Sequence, residues 1–131
     1  MCVSVEQSKD QLTLEVARLI LSDPRYASDD WQDIAIVYNF LDGRENTFGY
    51  VFFPDGKWEA RLPDDHNWDA VDKMLELQTM MERETGKRWL RALFHIKRDD
   101  QSMNIQFEYD DREKWMINPG DLEKSVAALK P

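Results

Sequence analysis

Very little in this 131-residue chain can form a cross-link, a membrane span or a catalytic centre. The single cysteine, Cys2, excludes an internal disulfide and fits a reducing compartment. No cationic group follows it closely, so its thiol is read as inert. No apolar run approaches the roughly 20 residues that a spanning helix needs. A basic segment followed by an apolar core is also missing from the N-terminus, so a signal peptide is not expected and the expected compartment is the cytoplasm. Positive charge is short too: 17 Lys and Arg stand against 26 Asp and Glu, a formal charge of −9. Nucleic acid and anionic membrane would be repelled by that balance, whereas a basic protein partner would be attracted.

Motifs for chemistry are equally scarce. The chain has no GxSxG elbow, no P-loop and no dinucleotide-binding glycine pattern. His66 and His95 fall on different elements and neither sits in an HExxH pattern. His66 reads as a loop residue near a helix cap, and His95 as a solvent-facing strand residue. Asp110 and Asp111 offer oxygens that suit a hard cation, but neighbours on a strand point to opposite faces, and no EF-hand spacing surrounds them. No metal, no cofactor and no enzymatic activity are therefore expected.

What the chain does contain is enough apolar material for one globular domain spanning 1–131: 42% apolar and 11% aromatic residues. The clearest pattern lies between Trp89 and Trp115. Leu90, Ala92, Phe94 and Ile96 alternate with Arg91, His95 and Lys97, and after RDDQS, Met103, Ile105, Phe107 and Tyr109 alternate with Asn104, Gln106, Glu108 and Asp110. This predicts a hairpin with one buried and one wet face. Parity leaves two registers, Ile96 opposite Ile105 or Ile96 opposite Met103, which set Arg91 against Asp110 or Glu108 on the wet face.

Upstream, helical spacing of Leu12, Val16, Leu19 and Ile20 predicts a first helix from about Glu6 to Leu21, capped by Ser8 with Gln11 and ended by Asp23-Pro24. Arg25 to Asp33 reads as a polar connector. Ile34 to Leu41, Thr47 to Phe53 and Lys57 to Leu62 predict a three-strand meander, with Pro54-Asp55-Gly56 as a turn. Val71, Met74, Leu75, Gln78 and Met81 give a second helix between Asn67 and Thr85, ended by Gly86. Asn118-Pro119 opens a short last helix with the stripe Leu122, Val126 and Leu129. The order α-β-β-β-α-β-β-α implies an α+β fold, an antiparallel sheet of about five strands with helices packed on one face. Strands apolar on both sides leave the other face to a second layer, a docking surface or a homodimer.

Charge is segregated along the chain. Asp42 to Asp72 holds eight acids and three bases, Asp99 to Glu113 six and one, while Glu82 to Arg98 holds six bases and two acids. Such a field speeds association with a cationic protein, and on charge alone it fits a plain solvated face equally well.

Four stretches carry a family resemblance: DDWQDIAIVYNFLDG, TFGYVFFPDG, the helix running into GKRW, and WLRALFHI followed by MNIQFEYDD. In these the chain resembles the YezG-type immunity proteins, the antitoxins paired with bacterial polymorphic toxins. The resemblance implies a small cytoplasmic α+β protein that binds a cognate toxin domain and blocks it without catalysis. Where the toxin is a nuclease, its cleft must be cationic to hold phosphates. Asp64, Asp65, Glu108, Asp110, Asp111 and Glu113 would then occupy the cleft, with Trp58 or Trp115 as anchor. A different class also fits the pattern: a small regulatory or ligand-binding module with a pocket between the sheet and helix two. The sequence leaves monomer and homodimer equally open.

Overall fold

The computed structural model describes residues 9–27, 30–40, 46–61, 68–99, 102–111, 114–116 and 119–129. Their order is α1 (Lys9–Leu21), a 3₁₀ turn (Pro24–Tyr26), β1 (Asp33–Asn39), β2 (Asn46–Phe52), β3 (Trp58–Ala60), α2 (Trp68–Thr85), β4 (Arg91–Lys97), β5 (Ser102–Glu108), a second 3₁₀ turn (Pro119–Asp121) and α3 (Leu122–Ala127). All five strands pair antiparallel in the order β3-β2-β1-β4-β5, so the fold is α+β as expected. The β4–β5 hairpin takes the second of the two allowed registers, with Ile96 opposite Met103 and Arg91 opposite Glu108.

Strand β1 lies at the centre because both its faces are apolar. Ile34, Ile36 and Tyr38 point into one core, and Ala35 and Val37 into another. The first core is roofed by two long amphipathic helices. Leu12, Val16, Ala17 and Ile20 of α1 and Ala70, Val71, Met74, Leu77 and Met81 of α2 are all buried there. Gln78 shares that stripe because its amide donates to the Trp89 carbonyl, 2.7 Å away, so a buried polar group is satisfied. The Trp89 ring stacks between Phe40 and Phe107, each with a centroid 5.4 Å away.

Three expectations need correction. The helices do not all pack on one face: α3 lies on the opposite side, where Val126 and Leu129 join Trp115, Leu93, Tyr50 and Phe52 in the second core. The second cover is the chain's own C-terminal segment. For the same reason Arg91, Leu93 and His95 of β4 are not wet, and of its odd positions Lys97 alone is exposed. Arg91 is fully buried, its Nη1 donating to the Asp111 carbonyl at 3.3 Å and its Nη2 lying 3.1 Å from the Met116 sulfur. His95 is buried as well, with Nε2 against the Leu129 carbonyl. Burial pushes the His95 imidazole below its ordinary range, and the contact with Leu129 only partly offsets that.

The connector after α1 also differs from the polar loop expected. Tyr26 and Trp31 are buried in the first core. The Tyr26 hydroxyl donates to the Arg61 carbonyl at 2.6 Å, and the Trp31 indole N–H to the Tyr26 carbonyl at 3.0 Å. Gly49 in β2 makes room for this: a Cβ there would lie 2.8 Å from the Arg61 carbonyl oxygen and 3.0 Å from the Tyr26 hydroxyl. Gly56 and Gly86 have positive φ (88° and 78°), as the PDG turn and the C-terminus of α2 require.

Candidate protein-binding surface

The strongest sequence candidates surround the end of β5. Glu108 closes the strand, and one of its carboxylate oxygens accepts the backbone N–H groups of Asp110 (3.1 Å) and Asp111 (3.0 Å). Its other oxygen lies 3.5 Å from the Lys114 ammonium. The N–H of Asp111, then that of Asp110, hold the Glu108 carboxyl below the usual carboxylate range. Glu108 therefore organises the turn, and its charge is largely turned inward. Asp110 and Asp111 are exposed at the corner it builds. The Asp111 carbonyl also ties that corner to the buried Arg91. The result is two exposed acidic residues on a backbone held by the carboxylate of a third.

The other candidates do not gather with them. Trp115 has φ 62° and is buried in the second core, which leaves it little surface to offer a partner. Trp58 is half-buried on β3 and packs edge-on against Tyr50, 5.7 Å between centroids. It occupies the opposite corner of the sheet from Asp110. Four strand spacings of about 4.8 Å separate β3 from β5, and the paired register sets Trp58 level with Ser102 rather than Glu108. Trp58 cannot anchor a contact centred on Asp110. Asp64, Asp65 and Glu113 lie outside the described residues, as do His66, Cys2 and Ser8. Further acids are set out along α2, where Asp69, Asp72 and Glu76 are exposed one turn apart.

A feature the sequence reasoning missed is a groove of about 540 Å³ between α1 and the turn end of the β4–β5 hairpin. Leu14, Leu21 and Met103 line it, and each is more than a third exposed. Its rim carries Arg18, Lys97 and Arg98. The Arg98 guanidinium stacks on Trp31 at 3.8 Å and donates to the Trp31 carbonyl at 2.7 Å. The groove runs along α1, whereas the expected pocket lay between the sheet and helix two, where Met74, Leu77 and Gln78 are buried. One signal for it was available: Leu14, Arg18 and Leu21 share a helical face distinct from the core stripe.

Among the described residues no group of three or more His, Cys, Asp or Glu side chains could hold a metal ion. No helix among them is long and apolar enough to cross a membrane. No protein-family model matches the sequence, and no curated protein is similar to it.

Proposed function

We propose that this is a non-catalytic binding protein of the immunity type, which neutralises a cationic toxin domain by presenting carboxylates to its active cleft. The observation that carries the reading is the corner at Asp110 and Asp111. Glu108 fixes the backbone there, so two acids face solvent without the entropy cost of ordering a free loop on binding. The chain's charge of −9 adds a long-range field that draws a basic partner in. The family resemblance supplies the biological setting. Trp115 drops out of the contact set because it is committed to the core.

Co-expression with the product of the adjacent gene tests the reading. The expected results are rescue of growth and a complex that survives gel filtration. Asp110→Lys with Asp111→Lys is expected to slow association and weaken rescue, most strongly at low salt. Unchanged association at low salt would remove this corner from the interface, and no complex with the wild-type chain would overturn the reading.

A further inference from the structure

The two edges of the sheet are built differently. β3 is three residues long and flanked by charge, with Arg61 pairing to Glu59 at 2.6 Å and to Asp30 at 3.1 Å. β5 is seven residues, SMNIQFE, with no proline, glycine, lysine or arginine, and its register against β4 is unbroken. Ser102, Met103, Asn104 and Gln106 are exposed. Edges of folded proteins are ordinarily blunted by shortness, bulges, proline or charge, and β5 carries only Glu108 at its end.

We propose that the outer edge of β5 is a self-association site, where two copies join as antiparallel strands into one continuous sheet of ten. The backbone register dictates which groups are available. Phe40 N–H donates to the Leu90 carbonyl and Arg98 N–H to the Gln32 carbonyl, so even residues of β4 bond to β1 and odd ones to β5. Glu108, opposite Arg91, accordingly turns its carbonyl to β4, where it receives Leu90 N–H at 2.7 Å. Met103, Ile105 and Phe107 then direct their N–H and C=O groups outward. A two-fold axis at Ile105 pairs these three with one another: Met103 with Phe107 and Ile105 with itself.

The side chains are self-complementary in that same register. Met103, Ile105 and Phe107 form an apolar row with their counterparts on one face. On the other face Asn104 meets Gln106, an amide pair, and Glu108 meets Ser102, so within the strands no like charges stand directly opposed. Helix α1 extends the match. Its Lys9 lies 6.0 Å from the Phe107 ring while Leu14, Arg18 and Leu21 flank Met103, so it runs antiparallel to β5 along the edge. Of five exposed large hydrophobics among the described residues, Leu14, Leu21 and Met103 are on this side, where a second copy's α1 would cover them. The acidic corner follows directly on this edge, and continuing the register sets Asp111 opposite Asp99 of the second copy, so these carboxylates oppose association at low salt.

Sedimentation equilibrium from micromolar to millimolar protein tests the site. The mass is expected to rise from 15.5 kDa towards twice that value with concentration, more readily at high salt because each copy carries −9. Two variants at exposed positions separate register from bulk charge. Asn104→Lys with Gln106→Lys sets lysine against lysine across the axis, although each chain's charge falls from −9 to −7. Asn104→Lys with Gln106→Glu sets lysine against glutamate. The first is expected to dissociate the dimer and the second to tighten it, with dimer Kd values about tenfold or more apart. Circular dichroism confirms that both variants fold. A monomer at every concentration and salt, or a dimer indifferent to which pair is installed, overturns the proposal.

Discussion

The two faces of the sheet are covered by different means. On one side α1 and α2, 13 and 18 residues long, bury an almost wholly apolar stripe. On the other, the six-residue α3 and Trp115 form a small lid, and polar contacts from Arg91 and His95 to backbone and thioether fasten it. The first cover is held by area. The second depends on a few directional bonds made by groups that are costly to bury unpaired. A helix of six residues has no stability of its own, so its order comes from the sheet beneath it.

Mutations can break that contrast. Phe94→Ala opens the first core at a fully buried site and is expected to cost about 4 kcal/mol in denaturant titration, felt across the whole domain. Trp115→Ala on the other side is expected to cost about 3 kcal/mol. Hydrogen exchange distinguishes the two: losing Trp115 should expose amides of α3 while α1 and α2 stay protected, whereas losing Phe94 should affect all of them. Uniform loss in both variants would mean the covers are not separable.

A smaller effect should come from acid. His95 is held neutral by burial, with Asp33 favouring and Lys97 opposing its charged form, and its folded pKa lies below the unfolded 6.5. The unfolded chain therefore binds the proton first, and stability present above about pH 6.5 is lost as pH falls through the folded value. Exchange at α3 should accelerate over that window, and His95→Gln, which keeps an N–H donor, should flatten the response. The smallest effect is expected at Tyr38. Its hydroxyl is buried without a hydrogen-bond partner among the described residues, so Tyr38→Phe should leave the denaturation midpoint unchanged or slightly raised.

The same contrast explains what could be read from the chain. Features of the first face were legible because they rest on periodicity: the stripes of α1 and α2, the alternation of β5, the PDG turn and Gly86 as a helix stop. The second face was not. Arg91 and His95 look like a solvated row when β4 is read alone, and only the return of residues 114–116 and 119–129 buries them. Tyr26 and Trp31 were hidden in a segment whose composition is polar, because a 3₁₀ turn has no period long enough to show a stripe. At the candidate site, Asp110 and Asp111 read from spacing as strand neighbours pointing to opposite faces, whereas both are exposed at a corner beyond the strand. The bracing of that corner by Glu108 was not legible, since hydrogen bonds to backbone N–H leave no trace in spacing.

Gly49 has a consequence of its own. The bond from Tyr26 to Arg61 spans 35 positions of chain and passes over β2 at the one place where a strand residue offers only hydrogen. That crossing sits where β3 meets β2, because the Arg61 N–H donates to the Gly49 carbonyl at 2.9 Å, so the segment after α1 and the sheet edge share one backbone position. Any larger residue at position 49 would press on the Arg61 backbone as well as on the Tyr26 hydroxyl, disturbing the β3 edge together with the latch.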